Sequence, residues 1–297
     1  MVKNIILDIG GVFFDDSKNN IEKLLNKNCD DIYKIAYGKG FKRCLLGEIS
    51  VEEHINNLRD EINFKDIKYI LEKDNLYIAN TYARFPITIK SGKGSICYDE
   101  NGKEYIDMAT GIAVNTFGIA DDEWVAAVTK QLGTLQHTSN LYYSAPDTEL
   151  AKMLCQRTGL KKVFFSNSGA EANECAIKVA RKYAADKKGA DYNTIITLKN
   201  SFHGRTITTL AATGQDVFHK DFLPLTDGFI YCEANNCEEL KTLVETNKIA
   251  AIMFETVQGE GGVLPLTDEF VKTIFEIAKA HDILTIADEV QTGNGRT

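Results

Sequence analysis

Four short apolar runs, Thr194–Leu198, Phe229–Cys232, Ile249–Phe254 and 283–287, punctuate the later part of the chain. Each is too short for a helix of ordinary length and shows no apolar–polar alternation, so the pattern predicts strands buried on both faces. Amphipathic stretches separate them. Residues 171–185 read as a helix with Ala172, Ala176, Val179, Ala180 and Tyr183 on one side. Thr267 can cap another, with Asp268 and Glu269 in its first turn and Phe270, Ile274, Ile277 and Ala278 on its apolar face. A further strand is predicted at 163–165. Earlier, 95–98 and 104–106 flank Asp99-Glu100-Asn101-Gly102, a hairpin-turn composition. Strands alternating with helices predict an α/β fold with a mostly parallel sheet and helices on both faces.

The first 60 or so residues differ in character. They are rich in Asn, Lys, Asp and Ile. A strand at 3–8 leads to the turn Gly10-Gly11. A helical pattern follows, with Ile21, Leu24 and Leu25 on one face. Ser50 is placed to cap a second helix carrying Glu52 and Glu53 in its first turn and Ile55 and Leu58 on its stripe. One strand and a few helices do not close a sheet, so this segment reads as part of a domain. The change falls between residues 62 and 76, which predicts one unit over 1–65 and a second over 66–297.

Composition narrows the classes. The 297 residues are 44% hydrophobic and 26% charged, with four prolines, enough for a sizeable core. A net charge of −8 argues against a nucleic-acid partner. No apolar run approaches the roughly 20 residues of a membrane-spanning helix, and no basic–apolar–small leader opens the chain. A cytoplasmic protein is expected. The seven cysteines are scattered, form no Cys-x-x-Cys, and have no nearby histidines for zinc, so reduced thiols without a metal are expected.

Four constellations follow predicted strands. Phe164-Phe165-Ser166-Asn167-Ser168-Gly169-Ala170-Glu171 turns from strand to helix. Free N–H groups at a helix start, with small residues beside them, can cradle a phosphate; Ser168 can equally be a plain N-cap. In Ser201-Phe202-His203-Gly204-Arg205, the ring can stack on a planar ligand and the guanidinium can take a carboxylate. A surface Arg beside a core Phe is the plainer alternative, with His203 a structural histidine. Glu260, between glycines in Gln258-Gly259-Glu260-Gly261-Gly262, can reach into a cleft or be solvated. Asp288 ends the last apolar run. A buried carboxylate there needs a partner, which a protonated pyridine nitrogen supplies; the alternative is a helix cap. Open α/β sheets hold ligands at such strand ends.

The order and wording of these motifs resemble the class III pyridoxal phosphate (PLP)-dependent aminotransferases, and within them the subgroup acting on N-acetylornithine. The likeness runs from about Leu76 to Thr297. Asn80-Thr81-Tyr82-Ala83-Arg84, Gly111-Ile112-Ala113-Val114-Asn115 and His137-Thr138-Ser139-Asn140-Leu141-Tyr142-Tyr143 share that wording. The resemblance implies the fold type I large domain of PLP-dependent transferases, here incomplete. It implies that Ser168, Gly169 and Ala170 hold the PLP phosphate, and that Phe202 and Val290 cover the two ring faces. Asp288 then pairs with the ring nitrogen, Gln291 lies near the ring hydroxyl, and Glu289 completes the cofactor-binding Asp288–Gln291 stretch. Arg205 takes the substrate α-carboxylate, and Glu260 pairs with an arginine between half-reactions. The implied reaction moves the δ-amino group of N-acetylornithine to 2-oxoglutarate, in a homodimer.

Two departures accompany the likeness. Gly118-Ile119-Ala120-Asp121-Asp122-Glu123-Trp124 stands where the family usually carries a histidine-rich turn before a proline. No lysine follows Lys279, so the family's Schiff-base lysine is expected to be missing from these 297 residues, leaving the chain inactive alone. The opening Ile5-Ile6-Leu7-Asp8-Ile9-Gly10-Gly11-Val12 resembles the first motif of haloacid dehalogenase-like phosphatases, a partial Rossmann-like segment with Asp8 as the nucleophile. The stretch from Phe41 to Ser50 resembles the start of their cap region. Gly10 stands where many members carry a second acid, and their later metal-binding motifs are absent, so a remnant is expected rather than a phosphatase.

Overall fold

The computed structural model describes Arg43, Ser50, Glu53 and residues 67–295, with side chains for all of these except residues 67–69. Asp8 and the expected strand at 3–8 lie outside the described residues. Glu53 donates its backbone N–H to Ser50 Oγ at 3.0 Å, the cap contact expected there.

The chain divides into two compact units. One runs up to Met108 and takes in Phe117–Trp124; the other comprises Ala109–Thr116 and Val125–Thr297. The first contains helix α1 (Ile67–Tyr77) and the antiparallel meander β1 (Ile89–Lys93), β2 (Ile96–Asp99) and β3 (Glu104–Ile106). Asp99 makes the β2–β3 turn: its Oδ1 accepts from the N–H groups of Asn101 and Lys103, both at 2.9 Å. That is the Asx geometry the turn composition predicts.

Helical segments lead into the second unit: a distorted turn α2 (Thr110–Ala113), then α3 (Asp122–Leu132), α4 (Ala145–Thr158) and the long α5 (Gly169–Lys188). Next come β4 (Thr194–Leu198), α6 (Ile207–Ala212), α7 (Asp216–His219), β5 (Phe229–Cys232), α8 (Cys237–Thr246) and β6 (Ile249–Phe254). A small ladder of β7 (Val257–Gln258) with β8 (Leu264–Pro265), helix α9 (Asp268–Ala280) and β9 (Leu284–Ala287) complete it. The sheet order is β5-β4-β6-β9, all parallel.

All six residues of β6 are buried, because both faces are covered. On one face Ile252 and Phe254 pack with Leu240 and Val244 of α8 and Phe270, Ile274 and Ile277 of α9. On the other Ala251 and Met253 pack with Ile177, Ala180 and Ala184 of α5. Thr267 caps α9, its side chain accepting from Phe270 N–H at 3.2 Å, and the four predicted apolar residues of α9 are buried.

Two expectations are corrected. Residues 163–165 are not a strand: no described strand pairs with them, and Phe164 and Phe165 are exposed. The buried stripe of α5 is Asn173, Ile177, Ala180 and Ala184, while Val179 is 57% exposed. The buried face is turned from the predicted one: Ile177, Ala180 and Ala184 pack on the sheet, and the polar Asn173 lies on the same side. Among the described residues no helix is long and apolar enough to cross a membrane.

Candidate active site

The chain leaves β4 toward β5 on one side and β6 toward β9 on the other. The crevice beyond the carboxyl ends of β4 and β6 is therefore a topological switch point, where open α/β sheets bind ligands. Three loops meet there: 199–206 after β4, 255–263 after β6, and 288–292 after β9.

Asp288 sits in this crevice, 7% exposed. Its Oδ2 accepts from Asn173 Nδ2 of α5 and bonds His203 Nδ1, both at 2.8 Å; its Oδ1 accepts from Val290 N–H at 3.1 Å. Burial alone would raise its pKa. The hydrogen bond and field of His203, with the bonds from Asn173 and Val290, outweigh burial and hold the carboxyl below its ordinary value. Asp288 is thus an anion, which accepts only, so His203 Nδ1 carries the proton of that bond. The helix-cap alternative accounts for the Val290 bond alone.

Glu255 behaves oppositely. It is 6% exposed, and its Oε2 accepts from Phe202 N–H at 3.1 Å. Burial pushes its carboxyl up to about 7, with the nearby Asp288 charge adding to that. The field of His203, then the bonds from Phe202 and Gly259 N–H, oppose the rise without cancelling it.

Ser168 is the N-cap of α5: its Oγ accepts from Glu171 N–H at 3.2 Å, and the Glu171 carboxylate in turn accepts from Asn167 N–H at 2.6 Å. Gly169 lies against Val290. A Cβ on it would come within 2.7 Å of Val290 Cγ1, so the helix start can approach the Asp288 loop only as glycine. Ala170 is half-buried in the first turn of α5. Arg205 is exposed and lies over the rings of Phe218 and Phe202, at 4.5 and 5.5 Å from their centroids. The two rings meet edge to face at 5.9 Å.

Glu260 is exposed and accepts from Gln215 Nε2 at 2.5 Å; among the described residues this is its hydrogen-bond partner. Glu289 is also exposed, its carboxylate accepting from Thr256 and Thr292 hydroxyls at 3.3 and 2.9 Å. Gln291 is half-buried and fills the space above Gly259. Gln258 is fully buried, donating to Lys199 O at 2.8 Å. Gly261 packs on Asn200 so closely that a Cβ would lie 2.3 Å from Asn200 O.

Asp288, Phe202, Ser168, Gly169, Val290 and Gln291 are thus gathered at one sheet edge, with Arg205 and Glu260 on its rim. Asn173 and Glu255 were missed by sequence reasoning.

The site suits a flat cationic heterocycle bearing a phosphate. Asp288 offers an anion with acceptor capacity left on Oδ1. Phe202 and Val290 offer apolar surfaces, and the start of α5 offers backbone N–H groups.

Known proteins are similar to this chain over most of its length. An acetylornithine aminotransferase of Haemophilus ducreyi is 53% identical over 228 residues, covering 77% of this chain and 58% of its own length. Its counterpart in Methanocaldococcus jannaschii is 45% identical, covering 76% and 57%. Among solved structures, an N-acetylornithine aminotransferase from Stenotrophomonas maltophilia superposes with a TM-score of 0.64 at 38% identity, covering 76% of this chain and 55% of that one. An ornithine aminotransferase from Toxoplasma gondii does so at 0.75 and 30% identity, covering 79% and 56%. The chain spans rather more than half the length of these relatives. The family description "Aminotransferase class-III" matches residues 77–297. That stretch takes in every described strand and all three loops of the crevice: the chain belongs to the class III aminotransferases, a family of PLP-dependent transferases.

Proposed function

We propose that this chain carries the PLP-binding core of an aminotransferase that moves an amino group from N-acetylornithine to 2-oxoglutarate, a step toward arginine. The carrying observation is Asp288, an anion buried at the switch point with hydrogen-bond capacity to spare. Bound there, PLP supplies the electron sink that stabilises negative charge on the substrate carbon. Asp288 holds a proton on the ring nitrogen. Phe202 and Val290 would cover the ring faces and exclude water, Gln291 would lie on the side of the ring hydroxyl, and the N–H groups after Ser168, with Gly169 and Ala170, would hold the phosphate. Glu289 braces this loop through Thr256 and Thr292. Arg205 orients the substrate carboxylate from the rim, and Glu260 faces the same rim.

The 40–53% identity to acetylornithine aminotransferases supports the substrate choice. The sequence after Lys279 contains no lysine, so Leu284–Ala287 and its loop supply the ring's partner and not a covalent anchor. We place the protein in the cytoplasm as a homodimer. Leu141, Tyr142 and Tyr143, at 88%, 70% and 105% exposure, form an apolar patch that supports a subunit interface. We also assign residues 1–65 to a separate haloacid dehalogenase-like segment. The family match beginning at residue 77 supports a boundary before it, and no observation favours phosphatase activity.

Titrating the purified chain with PLP while recording absorbance tests the reading. A saturable shift that is lost in Asp288→Ala is expected. The absence of any saturable shift in the unaltered chain would overturn it.

A further inference from the structure

We infer that Asn173 and His203 are positioning residues that hold Asp288 so that Oδ1, and not Oδ2, meets the cofactor ring nitrogen. This rests on the cofactor reading above.

The argument is a count of lone pairs. A carboxylate oxygen accepts two hydrogen bonds in its plane. Oδ2 already has two donors, Asn173 Nδ2 and His203 Nδ1, each at 2.8 Å. Oδ1 has one, Val290 N–H at 3.1 Å. One acceptor direction therefore remains, and it belongs to Oδ1.

Both donors are themselves fixed. Asn173 is 5% exposed on α5, and its Nδ2 also donates to His203 O at 2.9 Å, so one amide ties the backbone and carboxylate partners together. His203 is 1% exposed, and its backbone N–H donates to Thr213 Oγ1 at 3.0 Å. His203 Nε2 is buried without a hydrogen-bond partner. Among the described residues no hydrogen-bond partner competes with Asp288 for the ring's orientation. The other ionisable group facing the pair is Glu255, which bonds Phe202 N–H and not Asp288.

Three elements thus converge on one carboxylate: the inward face of α5, the loop after β4, and the carboxylate's own loop after β9. Asp288 is presented to the ring in a single orientation, as an anion, before any ligand arrives. Removing either donor frees Oδ2, lets the carboxyl rotate about its last torsion, and weakens its hold on a ring proton.

The test is PLP binding to Asn173→Leu and His203→Leu, with His203→Asn as the conservative variant that keeps a donor near the Nδ1 position. Each Leu variant should bind PLP on the order of tenfold more weakly, as expected for one hydrogen bond to a charged group. The ring-nitrogen protonation of bound PLP, read from its absorbance against pH, should fall to lower pH. His203→Asn should restore both. If the Leu variants do not fold, His203→Asn against His203→Gln, whose donor lies further out, reads the same question.

A crystal structure with PLP should place the ring nitrogen within hydrogen-bond distance of Oδ1, with Asn173 and His203 still on Oδ2. If the unaltered chain does not bind PLP at all, the cofactor reading fails. If it binds, and the Leu variants match its affinity and pH profile, or the ring nitrogen bonds Oδ2, the positioning inference fails by itself.

Discussion

Glu255 and Asp288 share a crevice but respond to pH in opposite directions. Glu255 has a folded pKa raised to about 7 from an ordinary 4.5. The folded state therefore holds its proton more tightly, and stability falls as pH rises from 4.5 to 7. Asp288 is lowered instead, so its contribution is lost only as pH drops below its ordinary 3.8. Glu255→Gln should flatten the loss between pH 4.5 and 7. At pH 8 it should be more stable than the unaltered chain by up to about 3 kcal/mol, with little difference at pH 4.5. Urea denaturation at the two pH values checks this, and equal stability at pH 8 would refute the buried-acid account. The chemistry-bearing residues that end strands, such as Asp288, were legible because an apolar run delivered them. Asn173 was not, since a helical wheel scored by hydrophobicity discards an inward-facing amide. Glu255 was hidden by its place in a glycine-rich stretch that reads as a loop, although it directly follows the fully buried β6.

Elements were legible where burial alone decides them. β4 and β6 were readable as apolar runs because both their faces are covered, the half-buried β5 and β9 because their runs stay apolar all the same, and α9 because cap, acidic first turn and apolar stripe agree. Residues 163–165 have the composition of a strand but lack the ladder, since pairing depends on a partner that a local pattern does not contain. The two kinds of support for an element predict different losses. Ile252→Ala in β6 removes a fully buried side chain packed between α8 and α9 and should cost about 2–5 kcal/mol. Thr267→Ala removes only the α9 cap and should cost about 1 kcal/mol. Denaturation midpoints of the two variants should fall in that order; a reversal would mean that the β6 core repacks around the cavity.

At the scale of the whole molecule, the unit holding the crevice is organised by its doubly covered sheet. Cys232, at the end of β5, is fully buried, and its thiol is pushed up to about 12, chiefly by burial, with the Glu239 and Glu233 charges adding to it. It should resist a thiol reagent at pH 8 until the protein unfolds, whereas the half-buried Cys155, Cys175 and Cys237 react first. Peptide mass spectrometry after timed labelling distinguishes them, and early labelling of Cys232 would show that β5 opens separately from the sheet. The gathering of the motifs at strand ends was inferable from strand alternation, but the switch point, which depends on strand order, and its bracing were not. Gln258 reaches back to Lys199, and Gly261 lies flush on Asn200. Movement of the loop after β4 therefore displaces the loop after β6. A ligand that orders one is expected to order the other, and amide exchange across 199–206 and 255–263 should slow together when either is bound.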